Sequence, residues 1–200
     1  QTLEKGLFDG LFIADITGVY DVYQNGIELT LKESIQLPSH DPTTLVSAMA
    51  AVTQNLGFGI TVNLSYESPY QFARRFASLD HLTQGRIGWN IVTGYLDSAE
   101  RLIGQKGLKD HDLRYEQAEE FLQLCYKFWE GSWENDAVLK DKKQRIFTDP
   151  SKVHQVQHQG QFYQSQGVFQ VSPSVQRTPV LFQAGASPRG LTFATQHAEG

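Results

Sequence analysis

Polar side chains at the ends of predicted strands are the first candidates for chemistry in this chain. Asp15, Thr61 and Asn90 each lie at or near the end of an apolar run that is typical of a strand. A carboxylate at the end of a buried strand is costly unless it is paired or faces a polar cleft. In parallel α/β barrels, the carboxyl ends of the strands hold the active site. These residues therefore indicate a ligand site at one edge of a sheet. The alternative is structural, because such side chains also satisfy loop backbone groups and threonine is common in strands.

Two predicted helix starts carry groups suited to an anion. His111 and Tyr115 are four residues apart at a helix start, so they share one face near the free N–H groups and the positive end of the helix dipole. Ser187 and Pro188 fit the N-cap and first helical positions of another helix, whose N-terminus can bind phosphate. The pattern predicts phosphate or ring contacts. The structural alternatives are a packed Tyr115, a solvated His111 and a serine that only caps its helix.

Other kinds of site have weaker support. His154 and His158 could share a face, but no carboxylate or cysteine accompanies them at ligand spacing, so no metal site is predicted. The chain shows no nucleophile elbow, no zinc-protease motif and no glycine-rich dinucleotide fingerprint after a strand.

Composition narrows the class of protein further. The chain has 40 % hydrophobic and 20 % charged residues, which fits a globular protein, and a net charge of −5 from 17 basic and 22 acidic residues. No basic stripe suggests a nucleic-acid partner, and no apolar run approaches the roughly 20 residues of a membrane span. Cys125 is the only cysteine and lies on an apolar helical stripe. We therefore expect it to pack in the core rather than react, and we expect a reducing, cytoplasmic location.

Strand and helix signals alternate along the chain. The expected strands are 8–14, 58–64, 87–93 and 180–183. The expected helices begin at Asp41, Ser68, Asp110 or Asp112, and Ser187, and the first three end near residues 54, 82 and 131. Residues 16–40 are predicted to be a long polar loop. Residues 132–178 are predicted to be an insertion, in which 154–171 forms a β-hairpin or extended arms.

This alternation predicts parallel strands joined by helical crossovers. Four such units are about half of an eight-stranded barrel, which typically needs roughly 250 residues. We therefore expect an α/β fold in which residues 1–200 are a single incomplete domain, about half of a TIM (β/α)8 barrel. A further strand would precede Gln1 and further units would follow Gly200. A small open, doubly wound sheet is the alternative.

The longest motif in the chain resembles a known family. It is the run Leu79-Asp-His-Leu-Thr-Gln-Gly-Arg-Ile-Gly-Trp-Asn-Ile-Val-Thr93. Further matches, in the family's order and over nearly the whole chain, are Leu11-Phe-Ile-Ala-Asp15, Met49-Ala-Ala-Val-Thr53, His111-Asp-Leu-Arg-Tyr115 and Gln183-Ala-Gly-Ala-Ser-Pro-Arg-Gly190. The chain thereby resembles the flavin-dependent monooxygenases of nitrilotriacetate, EDTA and dibenzothiophene sulfone, which belong to the bacterial-luciferase-like barrels.

The resemblance implies a cofactor and the residues that hold it. The family uses reduced flavin mononucleotide (FMN), which carries the oxygen chemistry, so the lack of a protein nucleophile is expected. The implied flavin contacts are Asp15, Thr61, His111, Tyr115 and Ser187, with Asn90 as a pocket residue near them. One position departs from the family. Many members have serine where this chain has Gly94, so a hydroxyl contact to the phosphate would be lost there while the backbone N–H remains.

The resemblance also implies a reaction and partners. The chain would be the oxygenase component of a two-component monooxygenase that receives reduced FMN from a separate NAD(P)H flavin reductase. Oxygen would add to the flavin C4a position, and the peroxyflavin would oxidise a small organic substrate, often with cleavage of a C–N or C–S bond. A homo-oligomer is expected for the full-length protein. The alternatives are a deazaflavin-dependent oxidoreductase on the same barrel, which transfers hydride, and a non-catalytic flavin-binding relative.

Overall fold

A computed structural model describes residues 1–200 and has a mixed α/β fold built on a four-stranded parallel sheet. The strands are β1 (Gly10–Ile13), β2 (Gly57–Asn63), β3 (Ile87–Val92), β4 (Val138–Asp141), β5 (Ile146–Thr148), β6 (Val156–Gln159), β7 (Gln164–Gly167) and β8 (Val180–Phe182). The α-helices are α1 (Thr2–Lys5), α2 (Glu28–Lys32), α3 (Pro42–Ala50), α4 (Pro69–Thr83), α5 (Asp97–Leu102), α6 (His111–Trp129) and α7 (Pro188–His197). The parallel sheet has the order β1-β2-β3-β8, which confirms the four predicted parallel strands.

The outer face of the parallel sheet packs against the helices and forms the core. Side chains alternate between the two faces of a strand, and Ile60, Trp89 and Ile91 lie on this face with at most 1 % of their surface exposed. The ring centroid of Trp89 lies 4.2 Å from that of Phe72 on α4, and the Trp89 Nε1–H donates a 3.0 Å hydrogen bond to the Val62 carbonyl. Burial of each large apolar side chain contributes about 1.5–3 kcal/mol, so this layer holds the sheet against its helices.

The inner face of the sheet carries small and polar residues together with two phenyl rings. Phe12 on β1 and Phe182 on β8 meet edge to face, with ring centroids 5.7 Å apart. The rings lie over Gly59 and Gly88, where an added Cβ would come within 2.9 and 2.8 Å of ring atoms. We call this pair the phenyl floor. Polar residues follow two positions later on the same face, at the carboxyl ends of β2 and β3.

Three of the four predicted helix starts have the expected side-chain cap. Asp41 and Asp110 each accept a hydrogen bond from the backbone N–H two residues later, at 2.8 and 2.9 Å, and Ser187 accepts one from the N–H three residues later, at 3.0 Å. The residue that caps α6 is therefore Asp110 and not Asp112. Ser68 occupies the N-cap position of α4, but its side chain makes no capping hydrogen bond. The proline that follows it is what marks this helix start.

The apolar stripe predicted on α6 is buried in the core. Its members are Ala118, Phe121, Leu122, Cys125 and Phe128. Burial raises the pKa of the Cys125 thiol well above its ordinary value, so the thiol stays protonated and packs as a small apolar group, as predicted. Neither α6 nor any other helix of the chain combines the length and apolarity that a membrane span requires.

Residues 16–40 are more structured than the predicted loop. They contain one 3₁₀ turn and the five-residue helix α2. Thr30 on α2 donates a 2.6 Å hydrogen bond to the Tyr20 carbonyl. Ser98 on α5 accepts from the Val19 N–H at 3.0 Å and donates to the Val19 carbonyl at 2.6 Å. Helices this short depend on tertiary contacts, which is why no apolar repeat revealed α2 or α5.

The predicted insertion, residues 132–178, forms two antiparallel hairpins. β6 and β7 pair where a hairpin or extended arms were expected. β4 and β5 form a second hairpin, which the sequence pattern did not predict. Glu120 on α6 anchors the β6–β7 hairpin, because its carboxylate accepts hydrogen bonds from His158 Nε2 at 3.0 Å and from two backbone N–H groups of the turn at 2.9 and 2.8 Å.

Candidate functional site

The carboxyl ends of β2 and β3 bring two predicted site residues into direct contact. Thr61 and Asn90 are register partners on the inner face of the sheet, and their exposed fractions are 4 % and 8 %. Asn90 Nδ2 donates a 2.9 Å hydrogen bond to Thr61 Oγ1. Because the threonine oxygen accepts this bond, its own O–H is left for a ligand, as is the side-chain carbonyl of Asn90. A hydroxyl donor and an amide acceptor are thus held side by side.

Asp15 lies at the same edge of the sheet and shares a cavity with Thr61. The cavity has a volume of about 310 Å³, and its hydroxyl, amide and carboxylate lining includes Asn63 and Asp41. Burial raises the pKa of Asp15 above its ordinary value, and the negative charge of Asp41 raises it further. Two of the predicted flavin contacts therefore line one polar cavity.

A second group of predicted site residues lies where α6 and α7 begin. His111 and Tyr115 share a face of α6, with ring centroids 5.1 Å apart. Tyr115 is buried, whereas His111 is exposed and its Nδ1 lies 2.9 Å from the Asp112 carboxylate. The first turn of α7, with Ser187 as its N-cap, approaches the Tyr115 hydroxyl, so the two helix starts meet.

Two glycines allow Tyr115 and Ser187 to converge. A Cβ on Gly190 would stand 2.7 Å from the Tyr115 hydroxyl oxygen and 3.1 Å from Ser187 Oγ, and a Cβ on Gly185 would stand 2.8 Å from the same tyrosine oxygen. The distances to the tyrosine oxygen are too short for a methyl group, so glycine is required for this close approach. The result is a cradle of two hydroxyls and two glycines at the N-terminus of α7, which suits a phosphate group.

The side chains around Gly94 leave little room for the serine that many members of the resembled family have at this position. Gly94 has a φ of +79°, and a Cβ there would lie 2.7 Å from the Asn63 amide nitrogen and 2.9 Å from the Tyr66 hydroxyl. A serine would therefore require both neighbours to shift. Burial and the negative charge of Glu100 raise the pKa of Tyr66 to about 12, so its phenol is neutral. The Gly94 carbonyl accepts a hydrogen bond from the Arg114 guanidinium, which ties the end of β3 to the first turn of α6.

A larger cavity lies on the inner face near the amino ends of the strands. Its volume is about 510 Å³, and glycines and apolar side chains, including the phenyl floor, make up most of its lining. Its one cationic side chain is Arg86, whose guanidinium donates to the carbonyls of Leu56 and Thr53 at 2.9 and 3.2 Å. The free hydroxyls and the predicted site residues lie instead at the carboxyl ends of the strands.

The two histidines of the insertion lie apart from this site. His154 Nε2 lies 2.9 Å from a carboxylate oxygen of Glu134, and His158 Nε2 lies 3.0 Å from one of Glu120. Each histidine therefore has its own glutamate partner within the insertion or on α6.

Gln183 contacts the candidate site, although the sequence pattern alone assigned it no role. Its Nε2 donates a 3.3 Å hydrogen bond to the Tyr115 hydroxyl oxygen, and its Oε1 accepts one of 3.0 Å from the Gly185 N–H. A signal for it was present, because Gln183 is a polar residue directly after the apolar strand β8, as Asp15 is near the end of β1.

The predicted site residues thus form two groups at the carboxyl edge of the parallel sheet. The group at β1–β3 is Asp15, Thr61 and Asn90, and the group at the helix starts is His111, Tyr115 and Ser187. That each of these residues contacts a flavin remains a prediction.

Known proteins with similar sequences match the whole of this chain. A family model described as luciferase-like monooxygenase matches residues 1–200. The dimethyl-sulfide monooxygenase of Hyphomicrobium sulfonivorans is 54 % identical over 198 residues, which are 99 % of this chain and 41 % of that protein. The dibenzothiophene-sulfone monooxygenase of Rhodococcus erythropolis is 43 % identical over 203 aligned positions, gaps included, and the alignment covers 100 % of this chain and 44 % of that protein. The resemblance inferred from the motifs is confirmed.

Solved structures agree with this match. The crystal structure of a long-chain alkane monooxygenase has a TM-score of 0.96 and 52 % identity, and the match covers 98 % of this chain and 45 % of that one. A riboflavin lyase, whose crystal structure holds modified FMN and riboflavin, has a TM-score of 0.91 and 45 % identity over 96 % of this chain and 43 % of that one. The chain spans less than half the length of each of these proteins, and the predicted partial barrel is confirmed.

Proposed function

The chain belongs to the luciferase-like monooxygenase family, and on this premise we propose that it holds the flavin of an FMN-dependent monooxygenase. The observation that carries the proposal is the convergence of the Tyr115 and Ser187 hydroxyls beside Gly190. Hydroxyl donors at the start of a ten-residue helix are suited to a terminal phosphate, because the helix dipole favours negative charge there. His111, on the same face as Tyr115, would be a further contact of this phosphate end.

The group at β1–β3 would contact the flavin ring. The Thr61 O–H and the Asn90 carbonyl offer one donor and one acceptor to the polar edge of the ring, and Asp15 offers a carboxyl group across the same cavity. The phenyl floor lies beneath this layer and would keep water from the reacting face of the ring. Residues 1–200 would thus supply both the ring end and the phosphate end of one flavin site within a single barrel domain.

Bound reduced FMN supplies the electrons for oxygen activation, and the residues of this chain bind and orient it. We propose that a separate NAD(P)H flavin reductase delivers the reduced flavin to a homo-oligomer of the full-length protein. The substrate would be a small organic molecule. A C–S bond is the first target to test, because two similar proteins are named for dimethyl sulfide and dibenzothiophene sulfone. A C–N bond is the second, as the resemblance implies.

Anaerobic titration of the full-length protein tests the cofactor. Reduced FMN should bind saturably and far more tightly than NADH, because the phosphate cradle has no dinucleotide fingerprint beside it. Saturable NADH binding without flavin affinity would contradict the proposal.

Turnover tests the reaction. With reduced FMN and oxygen, the full-length protein should convert a sulfide, a sulfone or an aminopolycarboxylate to an oxidised product, which is the readout because free reduced FMN also consumes oxygen. Hydride transfer with a reduced deazaflavin and no oxygen uptake would instead support the deazaflavin alternative. Tight flavin binding without turnover of any of these substrates would support a non-catalytic relative.

A further inference from the structure

Gln183 bridges the two sides of the phosphate cradle. Its Oε1 accepts a 3.0 Å hydrogen bond from the Gly185 N–H, and its Nε2 lies 3.3 Å from the Tyr115 hydroxyl oxygen. A backbone N–H can only donate, so the end of the amide that faces Gly185 must be the oxygen. The end that faces Tyr115 is then the NH₂ group, which can only donate. The amide orientation therefore follows from the hydrogen-bond network.

The orientation of Gln183 decides what the Tyr115 hydroxyl can do. Because the tyrosine oxygen accepts from Gln183, its own proton must point to another acceptor. Ser187 is in the same situation, since its Oγ accepts a 3.0 Å hydrogen bond from the Gly190 N–H. Both hydroxyls can therefore donate a hydrogen bond to a ligand in the cradle. A group with several anionic oxygens is the ligand that matches two such donors at a helix N-terminus.

We propose that Gln183 is a positioning residue that keeps the Tyr115 hydroxyl as a donor toward the phosphate of FMN. This inference rests on the proposed function. A carboxylate at position 183 would accept the tyrosine proton and place a negative charge beside the phosphate, while its other oxygen would still accept from Gly185. An apolar side chain of similar length would leave the tyrosine proton free to turn away. Gln183→Glu should therefore weaken phosphate recognition more than Gln183→Met.

Comparing FMN with riboflavin isolates the phosphate, because riboflavin has the same ring and no phosphate. In the full-length protein, Gln183→Glu should lower the affinity for FMN by about 10- to 150-fold, the loss expected for a hydrogen bond to a charged group. Riboflavin affinity should stay within about twofold of the wild type, since the ring contacts are untouched. Gln183→Met should show a smaller loss that is also confined to FMN. Gln196→Glu, an exposed residue near the end of α7, controls for the added charge and should change neither affinity.

A double variant tests whether Gln183 acts through Tyr115. Tyr115→Phe combined with Gln183→Met should bind FMN no more weakly than Tyr115→Phe alone, because the group that Gln183 orients is already absent. Equal loss of FMN and riboflavin affinity in the Gln183 variants, or an unchanged FMN affinity, would overturn this inference and leave the proposed function standing. A wild-type protein that binds neither flavin would overturn both. Thermal unfolding of each variant without ligand shows that the comparison is made between folded proteins.

Discussion

The side-chain amide of Asn90 donates a 2.9 Å hydrogen bond to the Thr61 hydroxyl across two neighbouring parallel strands, and both side chains are buried. Buried polar groups are almost always paired, so each of these residues depends on the other. The contact joins β2 and β3 at the level of the sheet where the polar residues of the site begin, directly after the phenyl floor. The pairing of β2 with β3 therefore positions Thr61 and Asn90, two buried polar residues of the candidate site, beside each other.

The first prediction concerns the stability of this pair. Thr61→Val or Asn90→Leu should each lower the free energy of unfolding by about 1–3 kcal/mol, because the remaining partner is buried without its hydrogen bond. The double variant should lose less than the sum of the two single losses, by about 0.5–1.5 kcal/mol. Urea denaturation of the full-length protein measures all three values. Strictly additive losses would show that the hydrogen bond contributes nothing. Thr195→Ala, an exposed hydroxyl on α7, should change stability by less than about 0.5 kcal/mol.

The second prediction concerns the cradle hydroxyls. Tyr115→Phe and Ser187→Ala should each weaken FMN binding by about 10- to 150-fold, because each removes one hydrogen bond to a charged group. Ser187→Ala also removes a helix cap, which alone costs about 0.5–2 kcal/mol of stability. Ser187→Gly separates the two effects, since glycine at an N-cap costs only a few tenths of a kcal/mol but has no side-chain donor. It should keep nearly the wild-type stability and still lose FMN affinity. Unchanged FMN affinity in all three variants would mean that these residues serve only in packing and helix capping.

The third prediction concerns the close approach at Gly190. Gly190→Ala should weaken FMN binding and leave riboflavin binding nearly unchanged, because the added methyl group would stand 2.7 Å from the Tyr115 hydroxyl oxygen and displace it. Gln196→Ala on the exposed side of the same helix is the matched control and should have no effect. Isothermal titration with both flavins provides the measurement. A Gly190→Ala protein that binds FMN normally would show that Tyr115 and Ser187 need not converge.

The longer elements of the fold were predictable, because each has a long local signal. The buried runs of β2 and β3 and the apolar stripe of α6 need no knowledge of the rest of the chain. The five-residue helix α2 and the β4–β5 hairpin lack such a signal, since short elements depend on their tertiary contacts.

The candidate site was predictable only in part. Its members were identified by residue type and by the family resemblance, but their grouping depends on tertiary structure. Tyr115 and Ser187 are far apart in the chain, and only the packing of α6 against α7 brings their hydroxyls together. The role of Gln183 depends on which end of its amide faces Gly185, and no sequence pattern contains that information.

The fourth prediction concerns Asp15 and pH. Burial and the charge of Asp41 raise the pKa of Asp15 above its ordinary value of 3.8. A carboxyl group with a raised pKa in the folded state favours folding while it is protonated. Its contribution is complete below 3.8 and is lost as the pH rises through the higher folded value. Asp15→Asn should therefore raise the melting temperature of the ligand-free protein at neutral pH, and the difference should disappear as the pH approaches 3.8.

Asp136 provides a control of opposite sign for this experiment. A hydrogen bond from Lys152 lowers the pKa of Asp136, so its contribution to stability is present above the ordinary carboxyl pKa and is lost as the pH falls. Asp136→Asn should consequently lower, not raise, the melting temperature at neutral pH. A fall in melting temperature with Asp15→Asn as well would mean that Asp15 is stabilised by its surroundings in the ionised form.

The fifth prediction concerns residues 1–200 expressed alone. β1 and β8 are edge strands of the parallel sheet, and the inner face exposes 54 % of Phe12 and 37 % of Val180. Parallel sheets are normally covered on both faces, and unpaired strand edges promote association. We therefore expect these residues alone to self-associate or aggregate, with weak near-UV circular dichroism and no flavin-dependent oxidation of substrate. Size-exclusion chromatography with light scattering measures the association. Phe12→Ser should reduce it if the chains associate through the inner face of the sheet. A monomer with cooperative thermal unfolding and oxygenase activity would show that this part of the barrel is sufficient by itself.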